Sequence, residues 1–561
     1  MPIHSRWTLP IPPISLPQFL FTSPTAPLTH GSKPAFISVD NPSLHLTHTT
    51  FRLYAQRLAA GLVRAGLQPG DRVLLFSGNN IFFPVVFMGI LMAGGVFTGA
   101  NPGYVARELA YQLKDSEARF LICADTALEL GVEAAGSVGM GKERVFAFDE
   151  LLFGGRGEGR LGVRNWKVLV ESEEVGRAFE WVQPRDPGSD ICCLNYSSGT
   201  TGVPKGVMIT HRSYIANAIQ YNHMPTLHPG HEERTRKANW LCFLPMYHAM
   251  AQTIFITCGP KRGIPVYMMK KFDFVQMLEA VQKFKISNLI MVPPIVVALA
   301  KSPITKKYDL SSVIDLGSGA APLGGDVIHE AEALWPEGDR KLKQGWGMTE
   351  VTCSMLGWDP RVPVNSSSVG ELNPNCSAKI MSPDGKTEVS PGERGEIWVQ
   401  GPNVMKGYWR NASATNEIFV DGPDGRWMRT GDIAYVDEGG RFFVVDRMKE
   451  LIKVKGNQVA PAELEGLLLE HPELVDACVV GVTVGGEEMP RAYVVRKEGG
   501  KVSEEEVKRW LAERVSKTKR LTGGVAFVDA VPKNPSGKIL RKLLRERAKE
   551  EVGDKEVKAR L

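Results

Sequence analysis

Tyr196-Ser197-Ser198-Gly199-Thr200-Thr201-Gly202-Val203-Pro204-Lys205-Gly206 follows an apolar run at residues 191–194 and reads as a strand opening into a loop of glycines and hydroxyls. Glycine lets a backbone turn at positive φ and approach an anion closely. Exposed N–H groups in such a loop form a nest for phosphate oxygens. The hydroxyls of Ser197, Ser198, Thr200 and Thr201 add donors, and Lys205 adds a charge suited to a β- or γ-phosphate. The loop departs from the Walker A pattern, because Lys205 is preceded by Pro204 rather than glycine and followed by Gly206 rather than serine or threonine. A nucleotide-phosphate cradle of another class is the expectation.

The loop sits in a chain of 561 residues, too long for one ordinary core, so two or more domains are expected. Hydrophobic residues make up 43% and charged residues 23%, the composition of a globular protein. The net charge of +5 is a small excess for this length and is not gathered in a central block, which argues against nucleic acid as a partner and permits anionic small molecules. The eight cysteines show no CxxC pair and no zinc spacing, and Cys192-Cys193 are adjacent; reduced, mostly buried thiols and an intracellular location are expected. Residues 81–100 are nearly all apolar, but Pro84, Gly89, Gly94, Gly95 and Gly99 interrupt them, so they read as a buried helix and a core strand rather than a stable membrane span. The proline-rich first 27 residues lack the pattern of a secretory signal. Ala559-Arg560-Leu561 has the small–basic–leucine form of a peroxisomal address, which makes a peroxisomal import receptor an expected partner and the peroxisome, with the cytoplasm as alternative, the expected location.

From about residue 36 to 445, short apolar runs at 72–76, 120–123, 241–244 and 289–292 alternate with helical stretches. That alternation predicts an α/β fold of layered, largely parallel sheets. After Asp446 the texture becomes a compact, charged α+β module, with helical periods at 462–470 and 504–515 and strands at 477–481 and 492–495. The expected organisation is a large N-terminal domain, 1–446, and a small mobile C-terminal domain, 447–561. The short junction Asp446-Arg447-Met448-Lys449 suits a hinge.

Residues 196–211, YSSGTTGVPKGVMITH, closely resemble the signature of the adenylate-forming superfamily, which includes acyl-CoA synthetases, insect luciferases and peptide-synthetase adenylation domains. The best match within it is the 4-coumarate–CoA ligase-like group, including its members in fungal secondary metabolism, and the resemblance runs from about residue 15 to 541. Gln344-Gly345-Trp346-Gly347-Met348-Thr349-Glu350 resembles a second motif, with Trp346 in place of the usual tyrosine. It implies a nucleotide site in which Trp346 stacks on adenine, Thr349 meets the α-phosphate and Glu350 holds Mg²⁺. The exchange to tryptophan removes a phenolic hydroxyl. Gly317-Ser318-Gly319-Ala320-Ala321-Pro322-Leu323 resembles the loop lining adenine and the acyl pocket. Arg429-Thr430-Gly431-Asp432 implies that Asp432 accepts from both ribose hydroxyls, with Arg447 as a further nucleotide contact.

Lys538, in Pro532-Lys533-Asn534-Pro535-Ser536-Gly537-Lys538, matches the family's mobile catalytic lysine. The resemblance implies two half-reactions using ATP, Mg²⁺ and coenzyme A. A carboxylate first becomes an acyl-adenylate with release of pyrophosphate, and the small domain then rotates about Lys449 so that a thiol can enter. In the second state Lys455 and Gly456 would meet CoA, Lys453 and Gln458 would contact the adenylate, and Lys271 would reach a CoA phosphate. His248, in Leu244-Pro245-Met246-Tyr247-His248, matches a histidine bordering the acyl site. Met250 stands where plant coumarate ligases commonly carry a tyrosine, so aryl, arylpropenoic and medium-chain acids all remain open. Acceptors of the luciferase or carrier-protein-loading type are the alternative to CoA.

Overall fold

Apolar runs punctuated by turn residues pair side by side when helices can cover both faces of the resulting sheet. The computed structural model describes residues 2–150, 160–197, 203–335, 340–454, 457–484, 487–534 and 537–560, the side chains of 553–560 excepted. Ser198, Gly199, Thr200, Thr201, Lys455, Gly456 and Leu561 lie outside the described residues.

Arg72–Phe76 lies inside an eight-stranded sheet ordered Gly407–Tyr408, Lys205–Thr210, Ile191–Ser197, Val96–Ala100, Arg72–Phe76, Ala118–Ala124, Val145–Phe148 and Arg164–Asn165. Its central strands are parallel, whereas Ile191–Ser197 returns as the antiparallel Lys205–Thr210 with Lys205 opposite Ser197. The loop quoted above therefore connects two paired strands, where a Walker A loop opens a helix. Residues 81–100 form the buried helix Phe83–Met92 and the buried strand Val96–Ala100. Among the described residues no helix is long and apolar enough to cross a membrane. All eight cysteines are free, and every one except the half-buried Cys353 is buried.

A seven-stranded sheet runs Leu342–Gln344, Asp315–Ser318, Asn288–Met291, Trp240–Cys242, Val266–Met268, Pro34–Ser38 and His45–Thr47, parallel up to its last pair. Exposure alternates along two of these strands: Leu289, Met291, Leu316 and Ser318 are buried, while Asn288, Ile290, Asp315 and Gly317 share a less covered face.

Parallel pairing does not persist to residue 445 as expected. Ile3–His4, Ser377–Met381, Gly395–Gln400, Gly425–Val436, Phe419–Gly422 and Phe442–Arg447 form a wholly antiparallel sheet. Phe419–Gly422 and Gly425–Val436 are joined by the tight turn Pro423-Asp424, which leaves no room for the crossover helix that parallel pairing requires. The C-terminal residues form the antiparallel pair Leu474–Val484 and Glu487–Arg496, joined by the parallel strand Val525–Phe527 and the helices Pro461–Leu469, Glu504–Ala512 and Arg541–Arg560. Ile452, Leu464, Val479, Val494 and Leu511 share one apolar cluster there. Among the contacts that join this part to the rest, Lys301 Nζ donates to the Leu469 carbonyl at 2.5 Å, Gly324 lies against Gly466, and Gly537 lies against Val292.

Gly61, in the helix His48–Arg64, packs so closely on the following layer that a Cβ there would lie 1.8 Å from the Leu169 carbonyl oxygen. Gly61→Ala is expected to cost about 2–3 kcal/mol through overpacking, read as a lower urea midpoint by circular dichroism; an unchanged midpoint would contradict this packing.

Candidate active site

Glu350 sits in the single helical turn Thr349–Val351 and is buried. That turn ends at Thr352, whose φ of 69° lies in the left-handed region that a β-branched residue avoids. Such strain costs on the order of 1–3 kcal/mol. Thr352 Oγ1 partly offsets it by donating to the Asn403 carbonyl at 2.8 Å, while the Met405 N–H donates to the Glu350 carbonyl at 2.8 Å. The Glu350 side chain is aimed by Tyr408, whose hydroxyl donates to Oε1 at 2.9 Å. Lys205 Nζ lies 4.9 Å from the centroid of the same tyrosine ring. Sheet pairing produces this grouping: Tyr408 is opposite Val207, and Lys205 is opposite Ser197. Oε2 of Glu350 has no hydrogen-bond partner among the described residues. One carboxylate oxygen free of hydrogen bonds among the described residues, near a lysine that shares its tyrosine neighbour, fits Mg²⁺, which is commonly held by one or two carboxylates plus phosphate oxygens and water.

Asp432 and Arg447 face each other across the antiparallel pair Gly425–Val436 and Phe442–Arg447, with Arg447 Nε 3.4 Å from Oδ1. The Trp346 indole N–H donates to Oδ2 at 2.9 Å. The tryptophan that replaces the usual tyrosine therefore supplies a hydrogen bond of its own, to the carboxylate assigned to ribose. Burial raises the pKa of Asp432, opposed by the charge of Arg447 and by the indole bond. Gln344 uses its amide on its own surroundings: Oε1 accepts from the Leu323 N–H at 3.0 Å, and Nε2 donates to the Ser366 carbonyl at 2.7 Å. Ala320, in the adjoining loop, holds a φ of 73°.

Lys538 reaches this group from the far end of the sequence. Its loop is closed by its own N–H donating to Asn534 Oδ1 at 2.9 Å and by the Gly537 N–H donating to the Asn534 carbonyl at 2.8 Å. Gly537 adopts a φ of +79°, and a Cβ there would meet Val292 at 2.8 Å. Burial pulls Lys538 down to about 8, assisted by the charge of Arg447 and opposed by Asp432 and Glu350. Burial and the charge of Lys538 hold His248 at about 4, so its ring is neutral near pH 7. His248, Ala320, Gly345, Trp346 and Thr349 line one cavity of about 360 Å³.

Lys538 is thus drawn electrostatically to Glu350 and Asp432 and lies near His248, which lines the cavity. A family model described as AMP-binding enzyme matches residues 25–409, and one described as AMP-binding enzyme C-terminal domain matches residues 463–538. The chain belongs to the AMP-binding enzyme family. It is 36% identical to "4-coumarate--CoA ligase 1" of Petroselinum crispum over 89% of each chain. It is 37% identical to "Phenylacetyl-CoA ligase epaB" of Aspergillus niger, over 93% of this chain and 95% of that one. Among solved structures, ATP-bound MatB from Rhodopseudomonas palustris is similar with a TM-score of 0.82 and 27% identity, over 96% of this chain and 99% of that one.

This AMP-binding enzyme does not gather every residue that its sequence singles out. Lys453 and Gln458 are exposed partners across the small hairpin Ile452–Val454 and Asn457–Val459, and Lys271 and Lys449 are exposed as well; none of the four lines the cavity. Sequence reasoning also passed over Tyr408, for which Gly407-Tyr408-Trp409 offers no charge or spacing as a signal. It passed over Asp446 and Glu465 too. Asp446 accepts from the N–H groups of Arg447 and Ala462 at 2.7 and 2.8 Å, and Arg541 donates to Glu465 at 2.5 Å, so that the segment after Lys538 is tied to the end of the strand Phe442–Arg447.

With its pKa lowered to about 8, Lys538 becomes a free amine well below the about 10.4 of an ordinary lysine. Acetic anhydride labelling followed by peptide mass spectrometry is expected to show Lys538 half-modified about two pH units before the bulk of the lysines. A coincident labelling profile would show that Lys538 is not desolvated.

Proposed function

We propose that this chain is an ATP- and Mg²⁺-dependent acid–thiol ligase, which converts a carboxylic acid first to its acyl-adenylate and then to its CoA thioester. The observation that carries the reading is the delivery of Lys538, across the whole length of the sequence, to a site that already holds Glu350, Asp432, Arg447 and His248. In the first step an oxygen of the substrate carboxylate attacks the α-phosphorus of ATP, the bond to the β-phosphate oxygen breaks, and pyrophosphate leaves. Lys538 neutralises charge between carboxylate and phosphate as that charge grows. Thr349 holds the α-phosphate, and Lys205 with the loop 197–202 holds the departing phosphates. Trp346 covers adenine, while Asp432 and Arg447 hold the ribose. Bound Mg²⁺ at Glu350 would supply further neutralisation of the phosphate oxygens. Neutral His248 borders the acyl group without adding a competing positive charge.

In the second step the thiol sulfur bonds to the acyl carbon and AMP leaves. The thiol needs the space that Lys538 occupies, so the reading divides the chain into 1–446 and a moving 447–561 with its hinge at Lys449. Rotation brings the hairpin with Lys453, Lys455, Gly456 and Gln458 to the adenylate and CoA, with Lys271 nearby. The exposure of Lys453, Gln458 and Lys449 in the present arrangement supports such a second state, as do the CoA ligase names of the relatives for CoA as acceptor. Aryl, arylpropenoic and medium-chain acids are the proposed substrate range.

Separate assays of the two half-reactions test this. Lys538→Ala is expected to lower acid-dependent pyrophosphate release at least about 100-fold, within the range for a lost charge-stabilising donor, while supplied acyl-AMP still yields thioester. Equal loss in both assays would sink the assignment. The hinge turn is held by the Met448 N–H on Gly431 and the Glu450 N–H on Arg447, so proline at 449 removes neither bond. Lys449→Pro is expected to retain acyl-AMP formation and to block thioester formation; thioester produced at the wild-type rate would refute the hinge.

A further inference from the structure

The active-site cavity extends beyond the point where a substrate carboxylate would react. It follows one face of the seven-stranded sheet from the carboxyl ends of its strands, at Gly319 and Gly345, to their amino ends, at Asn288 and Asp315, where the Lys343 side chain also reaches. The strand Asp315–Ser318 alone spans about 10 Å of that path at about 3.3 Å per residue. Its floor is low because Gly317 and Gly345 stand on it: a Cβ at either would meet nothing nearer than carbonyl oxygens at 3.9 Å. Met250 closes over the floor, its Sδ 3.4 Å from a Cβ built at Gly319. Ile254, Leu244 and Ile290 make the middle of the slot apolar.

The far end has a different chemistry. Arg234, Arg262 and Lys343 line it with His228 and His231, and Asp315 is the one acidic residue among the described residues that line the cavity. Asp315 is already engaged, with Lys343 Nζ 3.1 Å from Oδ1 and Asn288 Nδ2 3.2 Å from Oδ2. Arg234 and Arg262 are left without a carboxylate in ion-pair range among the described residues. Arg262 is half-buried, lies over the Trp240 ring at 5.7 Å, and directs one of its donors to Thr235 Oγ1 at 2.7 Å. Burial lowers its pKa from that of an ordinary arginine. A desolvated guanidinium with further donors in a planar fork, beside a second arginine, matches the geometry of a carboxylate.

We propose that the amino-end floor of this slot is an anion anchor, in which Arg262, with Arg234, selects elongated acids that carry a second carboxylate at the end remote from the reacting one. The proposal rests on the ligase reading for the position of the first carboxylate. It predicts an amphipathic substrate, charged at both ends and apolar between them, in preference to a plain fatty or aryl acid of the same length.

Matched pairs of acids test the anchor: octanoate against octanedioate, and cinnamate against 4-carboxycinnamate, each with ATP, Mg²⁺ and CoA. The full-length enzyme is expected to favour the dicarboxylate of each pair by at least about 10-fold in kcat/KM, the scale of one charge-assisted hydrogen bond. Arg262→Met should bring each pair to within about twofold, mainly by raising KM for the dicarboxylate, with Arg262→Lys and the exposed Arg234→Ala in between. A wild-type preference for the monocarboxylates, or a ratio untouched by Arg262→Met in protein of wild-type melting temperature, overturns the proposal while leaving the ligase reading intact. Pyrophosphate release with none of the acids overturns the ligase reading instead. In that event, thermal stabilisation by octanedioate but not octanoate, lost in Arg262→Met, still supports the anchor, and equal or absent stabilisation rejects it.

Discussion

The charge of Lys538 is the constraint around which the site is built. An ammonium group taken out of water is costly unless carboxylates meet it. Glu350, from a helical turn, and Asp432, from a strand, partly offset that cost, yet burial and the nearby Arg447 still lower Lys538 to about 8. The lysine is held in place by atoms other than its own charge. Gly537 allows its loop to sit on Val292, and Arg541, bound to Glu465, anchors the helix that follows. Asp446 joins that assembly to the strand carrying Arg447, because its carboxylate accepts from the first turn of the helix Pro461–Leu469.

The two carboxylates that offset the charge of the lysine are restrained differently. Glu350 is fixed by a strained turn at Thr352 and by the Tyr408 hydroxyl, and the same tyrosine ring faces Lys205. Asp432 is fixed by a cross-strand arginine and by the Trp346 indole. Both arrangements hold a carboxylate in a fixed orientation within the folded chain. Trp346 presents an aromatic face at this position and its indole N–H donates to Asp432.

The cavity follows from the regularity of a parallel sheet. Side chains alternate between faces, so Gly317 and Gly345 lower one face along two neighbouring strands while Leu289 and Leu316 are buried on the other. Reactive groups collect at the carboxyl ends of the strands, and the polar residues at their amino ends give the slot a second chemical pole.

The amino-acid sequence by itself determined the elements and their local chemistry. The helix-and-strand reading of residues 81–100 and the change of texture after Asp446 were legible, and Glu350, Asp432, Arg447 and Lys538 could be singled out, because glycine, proline, apolar period and charge act over a few neighbouring residues. The tertiary structure alone decided which of those residues meet. The antiparallel sheet formed by residues 377–447 and the residues at its N-terminal edge, the Tyr408–Glu350 and Trp346–Asp432 bonds, the Asp446–Ala462 and Arg541–Glu465 ties, and Arg262 at the end of the slot each join positions whose pairing has no local sign. Periodicity reports that a side chain will be covered, whereas its partner depends on strand order and layer packing, which only the folded chain specifies.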